Sequence, residues 1–175
     1  MTLNGLGCRI CIIGPSNSGK STLAAAIGRA RGLKTIHLDQ FAHWPNTNWL
    51  PRPTADFDAL HHQAVLGENW VMDGNYSRCW PQRFARATGA ILLDAPTSVS
   101  LLRYLRRSWF ERVRAGNLEG GQDSVNWTMI RHIAITTPQN RRRYRLIFDQ
   151  LDLPKTSLLT VREVDQFYRA ERLTR

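Results

Sequence analysis

Gly14-Pro15-Ser16-Asn17-Ser18-Gly19-Lys20-Ser21 decides how this chain is read. Its fixed positions match G-x-x-x-x-G-K-[ST], the pattern of a phosphate-binding loop. The flanks agree. Arg9-Ile10-Cys11-Ile12-Ile13 has the apolar character of a short buried strand, and Thr22 to Arg31, rich in Ala and Leu, has that of a helix. Strand, glycine loop and helix in that order aim consecutive backbone N–H groups and a helix N-terminus at one point, which makes a concave anion site. Gly14 and Gly19 permit backbone conformations and a close approach that a Cβ would obstruct. Lys20 sets a positive charge against the outer phosphates, and the Ser21 hydroxyl is placed to ligate Mg²⁺. The stretch from Gly14 to Ser21 is therefore expected to hold a nucleoside triphosphate and its metal.

On either side, short β-type runs alternate with longer helical ones, the pattern of a parallel sheet with crossover helices. Thr35-Ile36-His37-Leu38 reads as a second strand ending at Asp39, and Trp70-Val71-Met72 as a third ending at Asp73. Ala90 to Leu93 reads as a fourth ending at Asp94, and Leu158-Leu159-Thr160-Val161 as a fifth. Between them, 41–53 reads as a loop with three prolines, Thr54 as the N-cap of a helix with Phe57, Leu60 and Ala64 on one face, and Arg78 to Thr88 as a short helix and its exit. A long helix is expected from Ser98 to Arg114, a glycine-bearing loop over 115–124, a helix from Val125 to Thr136, a basic helix opening at Pro138, and a closing helix from Glu163 to Leu173. The outcome is a three-layer α/β domain with a five-stranded parallel sheet, whose ligands sit beyond the C-terminal ends of the strands. Gly14, Asp39, Asp73 and Asp94 all fall at such ends.

The chain has 175 residues, enough for one domain with a core and too few for two. No apolar run approaches the ~20 residues of a membrane helix, and Met1 to Cys8 is too short and too polar for a signal peptide, so a cytoplasmic protein is expected. Cys8, Cys11 and Cys79 are odd in number and read as small core residues of a reducing compartment. The five histidines form no metal-ligand pattern. The formal charge is +10, and 21 of the 24 basic residues are arginine, whose planar fork suits phosphate oxygens.

Asp39 faces the phosphate loop across the expected cleft. It could hold an acceptor hydroxyl and take its proton, position Mg²⁺ through water, or simply cap a turn. Asp73, at the end of an apolar strand and followed by Gly74, has the form of a second metal-holding acid. Asp94 competes with it for that role; Asp94-Ala95-Pro96 looks more like a strand exit, so Asp73 is preferred. Arg78 could bridge donor and acceptor phosphates. Arg103, Arg106, Arg107, Arg112 and Arg114 before the 115–124 loop, and Arg141, Arg142, Arg143 and Arg145 after it, suggest a lid over 103–145 that carries charge onto the transferring group. The same arginines could instead contact nucleic acid. Trp44, Trp49 and Phe41 could stack a planar ring or form a local cluster.

With these segments in view, the chain resembles the small P-loop kinases of the adenylate kinase and shikimate kinase type. It is most similar to the bacterial family known as DNA topology modulation proteins. The resemblance is carried by Gly14–Ser21, Ile36-His37-Leu38-Asp39, Trp70 to Arg78, Leu92 to Pro96 and Arg103-x-x-Arg106-Arg107, with Val161 to Val164 resembling the family's last strand-to-helix turn. It implies that the phosphate loop spans Gly14–Thr22, that Asp73 helps hold Mg²⁺, that Arg106 or Arg107 stacks near adenine, and that Arg162 approaches the adenine edge. The adenylate kinase segment Asp-Gly-Phe-Pro-Arg is altered here, since Asn75-Tyr76-Ser77 intervene and Arg78 comes one residue later. No nucleoside-monophosphate-binding region is recognisable between Gln40 and Gly67, so 40–67 is the expected acceptor region and AMP is not supported as acceptor. The expectation is an ATP- and Mg²⁺-dependent phosphotransferase acting on a nucleotide or hydroxylated metabolite through Lys20, Asp39, Asp73, Arg78 and Arg107. The alternative is a nucleotide-binding regulator with weak ATPase activity that contacts nucleic acid.

Overall fold

The computed structural model describes residues 2–47, 49–94, 96 and 137–175. A 3₁₀ turn at Leu3–Leu6 leads into β1 (Arg9–Ile13), α1 (Lys20–Arg31), β2 (Lys34–His37), α2 (Leu38–Ala42), α3 (Thr54–Val65) and β3 (Trp70–Asp73). A second 3₁₀ turn at Ser77–Cys79 is followed by α4 (Trp80–Arg86), β4 (Gly89–Leu93), α5 (Thr137–Asp149), β5 (Lys155–Leu158) and α6 (Val161–Ala170). The strands lie in the order β2-β3-β1-β4-β5, and every pairing is parallel. β1 is central. The chain leaves it for strands on one side and later fills the other, so the loop after β1 opens at the point where ligands of open α/β sheets bind.

Side chains alternate across the sheet with period two. Ile10 and Ile12 of β1, Val71 of β3, and Ile91 and Leu93 of β4 meet Leu23, Ala24 and Ile27 of α1 and Val164 and Phe167 of α6 on one face. Cys11, Trp70 and Met72 meet Phe57 and Val65 of α3 on the other, where Ile13 and Leu92 meet Phe148 of α5. Both faces are covered, as an all-parallel sheet requires. Cys11 and Cys79 are buried and Cys8 packs against the core; all three are free thiols. No helix among the described residues is long and apolar enough to cross a membrane.

Several boundaries differ from the sequence expectation. β2 ends at His37, and Leu38 and Asp39 open a five-residue helix instead of closing the strand. β5 spans Lys155–Leu158, not Leu158 to Val161. The reason is local: the Thr160 side chain accepts from the Glu163 N–H and Glu163 Oε2 accepts from the Thr160 N–H, so a capping box starts α6 at Val161 inside the apolar run. Thr54 begins α3 without capping it, and the N-cap is Pro53. The buried stripe of that helix is Phe57, His61 and Val65, so a histidine takes the core position expected for Leu60. The 41–53 segment begins with the last residues of α2 and carries a hairpin-like bridge between His43 and Pro51. The expected elements between Ser98 and Thr136, with Arg103, Arg106, Arg107, Arg112 and Arg114, lie outside the described residues.

Candidate functional site

β1 delivers the chain to Gly14, whose φ of 146° is open to glycine; a Cβ there would lie 2.0 Å from the Leu93 carbonyl oxygen. Asn17 and Gly19 also adopt positive φ, 59° and 101°, curling the loop so that it enters α1 at Lys20. Pro15 and Ser18 are buried, Ser16 is half-buried and Thr22 is exposed. Lys20 folds back and donates to the Pro15 carbonyl at 2.7 Å. Desolvation pushes the pKa of its ammonium down, and the charges of Asp73 and Asp39 oppose that shift. Both carboxylates are thus within electrostatic reach of Lys20.

Asp73 closes β3 with 4% of its surface exposed. Its Oδ2 accepts from the Ser21 hydroxyl at 2.7 Å, and its Oδ1 lies 2.5 Å from His37 Nδ1. In the β2–β3 register His37 is directly opposite Asp73. Asp94, the other strand-end carboxylate, is engaged elsewhere. Arg141 Nε reaches its Oδ1 at 2.5 Å and Arg145 Nε its Oδ2 at 2.6 Å, which fastens α5 to the end of β4. The two acids are therefore distinguished by their partners: Asp94 is neutralised by guanidinium groups, whereas Asp73 faces the phosphate loop.

Asp39 lies exposed in the first turn of α2, where the Tyr76 hydroxyl donates to its Oδ1 at 2.7 Å. Burial pushes the Tyr76 pKa up, and the neighbouring Asp39 carboxylate adds to the shift, so the phenol remains a donor. Arg78 is exposed and pairs with Asp58 Oδ1 at 2.8 Å. Arg162 is exposed in the first turn of α6, a helix residue and not part of a strand-to-helix turn. Arg52 stacks over the Trp44 ring at 3.9 Å, and Trp49 packs edge-on against His43 at 5.2 Å, so these tryptophans form a local cluster.

Three residues of this neighbourhood were not singled out by the motifs. His37 buttresses Asp73; its register opposite a strand-end acid was the available signal. Asn75 clamps the Gly14 peptide, donating from Nδ2 to its carbonyl at 2.6 Å while Oδ1 accepts from its N–H at 3.3 Å. Arg83, on α4, is 0% exposed and donates from Nη1 to the Gly74 carbonyl at 2.9 Å. Among the described residues its Nε and Nη2 have no hydrogen-bond partner, and desolvation pushes its pKa down. Nothing in the sequence marks Arg83 off from the other arginines. Among the described residues no group of three or more His, Cys, Asp or Glu gathers as a metal site.

No protein-family profile matches this chain, and no curated protein does. Solved structures do match. A gluconokinase from Sinorhizobium meliloti 1021 superposes with a TM-score of 0.53 at 18% identity, over 95% of this chain and 95% of that one. A sugar kinase from Janibacter sp. HTCC2649 superposes with a TM-score of 0.47 at 16% identity, over 92% of this chain and 90% of that one. The gluconokinase likeness is one of fold, and with the parallel sheet and the loop after β1 it identifies a three-layer P-loop NTPase fold.

Proposed function

We propose that this chain is a phosphotransferase that moves the γ-phosphoryl group of ATP, with Mg²⁺, to a small molecule, either a nucleotide or a hydroxylated metabolite. The observation that carries the reading is Asp73, buried beneath the phosphate loop with one oxygen on Ser21 and the other on His37. Mg²⁺ prefers one or two carboxylate or hydroxyl oxygens supplemented by phosphates and waters, not an all-protein cage. The Ser21 hydroxyl and the Asp73 carboxylate are a donor set of that kind, and they would hold the ion. Once bound, it neutralises charge on the β- and γ-phosphates.

The rest is positioning and charge. Lys20 exchanges the Pro15 carbonyl for a phosphate oxygen. Asp39 accepts the acceptor's proton, held in place by Tyr76. Arg78 joins by exchanging Asp58 for a phosphate. Arg106 and Arg107, in a lid over 103–145, and Arg162, at the adenine edge, complete the set that the family resemblance implies. The acceptor enters beside 40–67. Because one structural neighbour is a gluconokinase, polyhydroxylated sugars and sugar acids are acceptors to try first. The finer kinship, with adenylate kinases and with the DNA topology modulation family, rests on motifs alone. The competing reading as a nucleic-acid-binding regulator is weakened because Arg141 and Arg145, two of the arginines it would use, are committed to Asp94.

The test is a pair of substitutions. Lys20→Ala should abolish nucleotide binding or turnover, whereas Asp39→Ala should leave ATP binding intact and remove transfer. Full transfer by Asp39→Ala with every active acceptor would overturn the acceptor role.

A further inference from the structure

Each residue of Asp73-Gly74-Asn75-Tyr76 is tied to a different part of the molecule. Asp73 holds Ser21 and His37, Gly74 receives the buried Arg83, Asn75 holds Gly14, and Tyr76 holds Asp39. The Asn75 link is unusual in kind. The β1–β3 backbone ladder runs from Arg9↔Trp70 to Ile12↔Asp73 and stops there. At the same register Gly14 and Asn75 come level, yet Asn75 meets Gly14 with its side chain. One primary amide accepts from the Gly14 N–H and donates to the Gly14 carbonyl, taking the place of a backbone rung. The orientation of that amide is dictated by the two groups it meets. On its other side Gly14 lies against the Leu93 carbonyl, with no room for even a Cβ.

Gly14 is the residue at which β1 becomes the phosphate loop, and as a glycine it has the most backbone freedom to lose. Clamped between Leu93 and Asn75, it leaves the strand in one direction only. We propose that Asn75 is a positioning residue that pre-organises the phosphate loop before any ligand arrives. Its amide fixes the Gly14 peptide, and the loop's later N–H groups inherit their aim from it. A loop already ordered does not lose that entropy on binding, so the benefit is read in affinity. The inference rests on reading Gly14 to Thr22 as the triphosphate loop.

The experiment combines amide hydrogen exchange on the ligand-free protein with ADP titration of wild type, Asn75→Ala and the near-isosteric Asn75→Asp. The account expects faster exchange across 13–20 in both variants. Asp should be worse than Ala, because a carboxylate oxygen then faces the Gly14 carbonyl, while exchange in β2 and β5 stays as in wild type. It also expects ADP to bind Asn75→Ala about tenfold more weakly, the scale of two lost hydrogen bonds. Wild-type exchange across 13–20 in a folded variant, or an ADP affinity for Asn75→Ala equal to that of wild type, would overturn the proposal. Should Asn75→Ala fail to fold, the Asp variant gives the exchange result. If wild type binds no ADP while loop exchange still rises in the variants, the nucleotide reading fails and the positioning role of Asn75 stands.

Discussion

The hydroxyl of Ser21, in the first turn of α1, donates to Oδ2 of Asp73, the last residue of β3, at 2.7 Å. The contact joins the end of the phosphate loop to the neighbouring strand, where a hydroxyl and a buried carboxylate lie within electrostatic reach of Lys20. Asp73→Asn keeps the size and an acceptor oxygen but loses the charge. ATP binding without metal should persist, and Mg²⁺-dependent transfer should fall at least about a hundredfold, the scale on which loss of one preorganised electrostatic group acts. Nucleotide titration with and without Mg²⁺, beside initial rates, checks this.

Two glycines with positive φ should respond very differently to a Cβ. At Gly14, with φ 146°, the new atom meets the Leu93 carbonyl at 2.0 Å, so backbone must move. Gly14→Ala should cost more than about 3 kcal/mol and lose nucleotide binding. At Gly32, which ends α1 with φ 63°, nothing lies within 4 Å, and Gly32→Ala should cost only about 1 kcal/mol. Urea unfolding midpoints of the two variants separate them.

Much of this was legible in the sequence. The phosphate loop has fixed spacing and strong flanks, and the central strands are short apolar runs, β1 leading into Gly14, β3 ending in Asp73 and β4 leading into Asp94, so all three are recognisable. The failures come where side chains override propensity. Leu158-Leu159-Thr160-Val161 is apolar enough for a strand, but the Thr160–Glu163 capping box takes Val161 into α6. Leu38 looks like a strand residue, yet it begins α2 and packs against Gly74, where a Cβ would meet the Leu38 Cβ at 2.8 Å. At the site, Asp73 could be preferred over Asp94 from its neighbours in sequence. That Arg141 and Arg145 neutralise Asp94 could not, because the partners are 47 and 51 residues away. Asn75 and Arg83 were invisible for the same reason: each acts on a backbone group of another segment.

Tyr76→Phe removes only the hydroxyl that holds Asp39. ATP affinity should be unchanged, and transfer should fall about tenfold as the exposed carboxylate loses its orientation. Steady-state kinetics with separate ATP and acceptor titrations give the answer; an equal loss in ATP affinity would argue against a purely acceptor-side role.

His61 makes stability depend on pH. It is 1% exposed in α3, with Nδ1 at 3.2 Å from Gln82 Oε1. Burial first, then the charge of Arg83, pushes its pKa down from 6.5 to about 4. Between those values the unfolded chain binds more protons than the folded one, so stability falls as pH falls through that window and levels off below it. His61→Phe removes this contribution. The difference in thermal midpoint between wild type and His61→Phe should therefore move in the variant's favour as pH drops from 6.5 to about 4. A constant difference across that window would show that His61 is not held neutral.

Transfer of the γ-³²P label from ATP is the most direct test of the account. Wild type, Lys20→Ala and Asp39→Ala should be presented with a panel of nucleosides, nucleotides, sugars, sugar acids and other hydroxylated metabolites, with and without Mg²⁺. The account predicts a labelled product from at least one acceptor class with wild type and Mg²⁺, none with Lys20→Ala, and none with Asp39→Ala despite retained ATP binding. Label released only as inorganic phosphate with every acceptor, together with salt-sensitive binding of DNA or RNA, would contradict it.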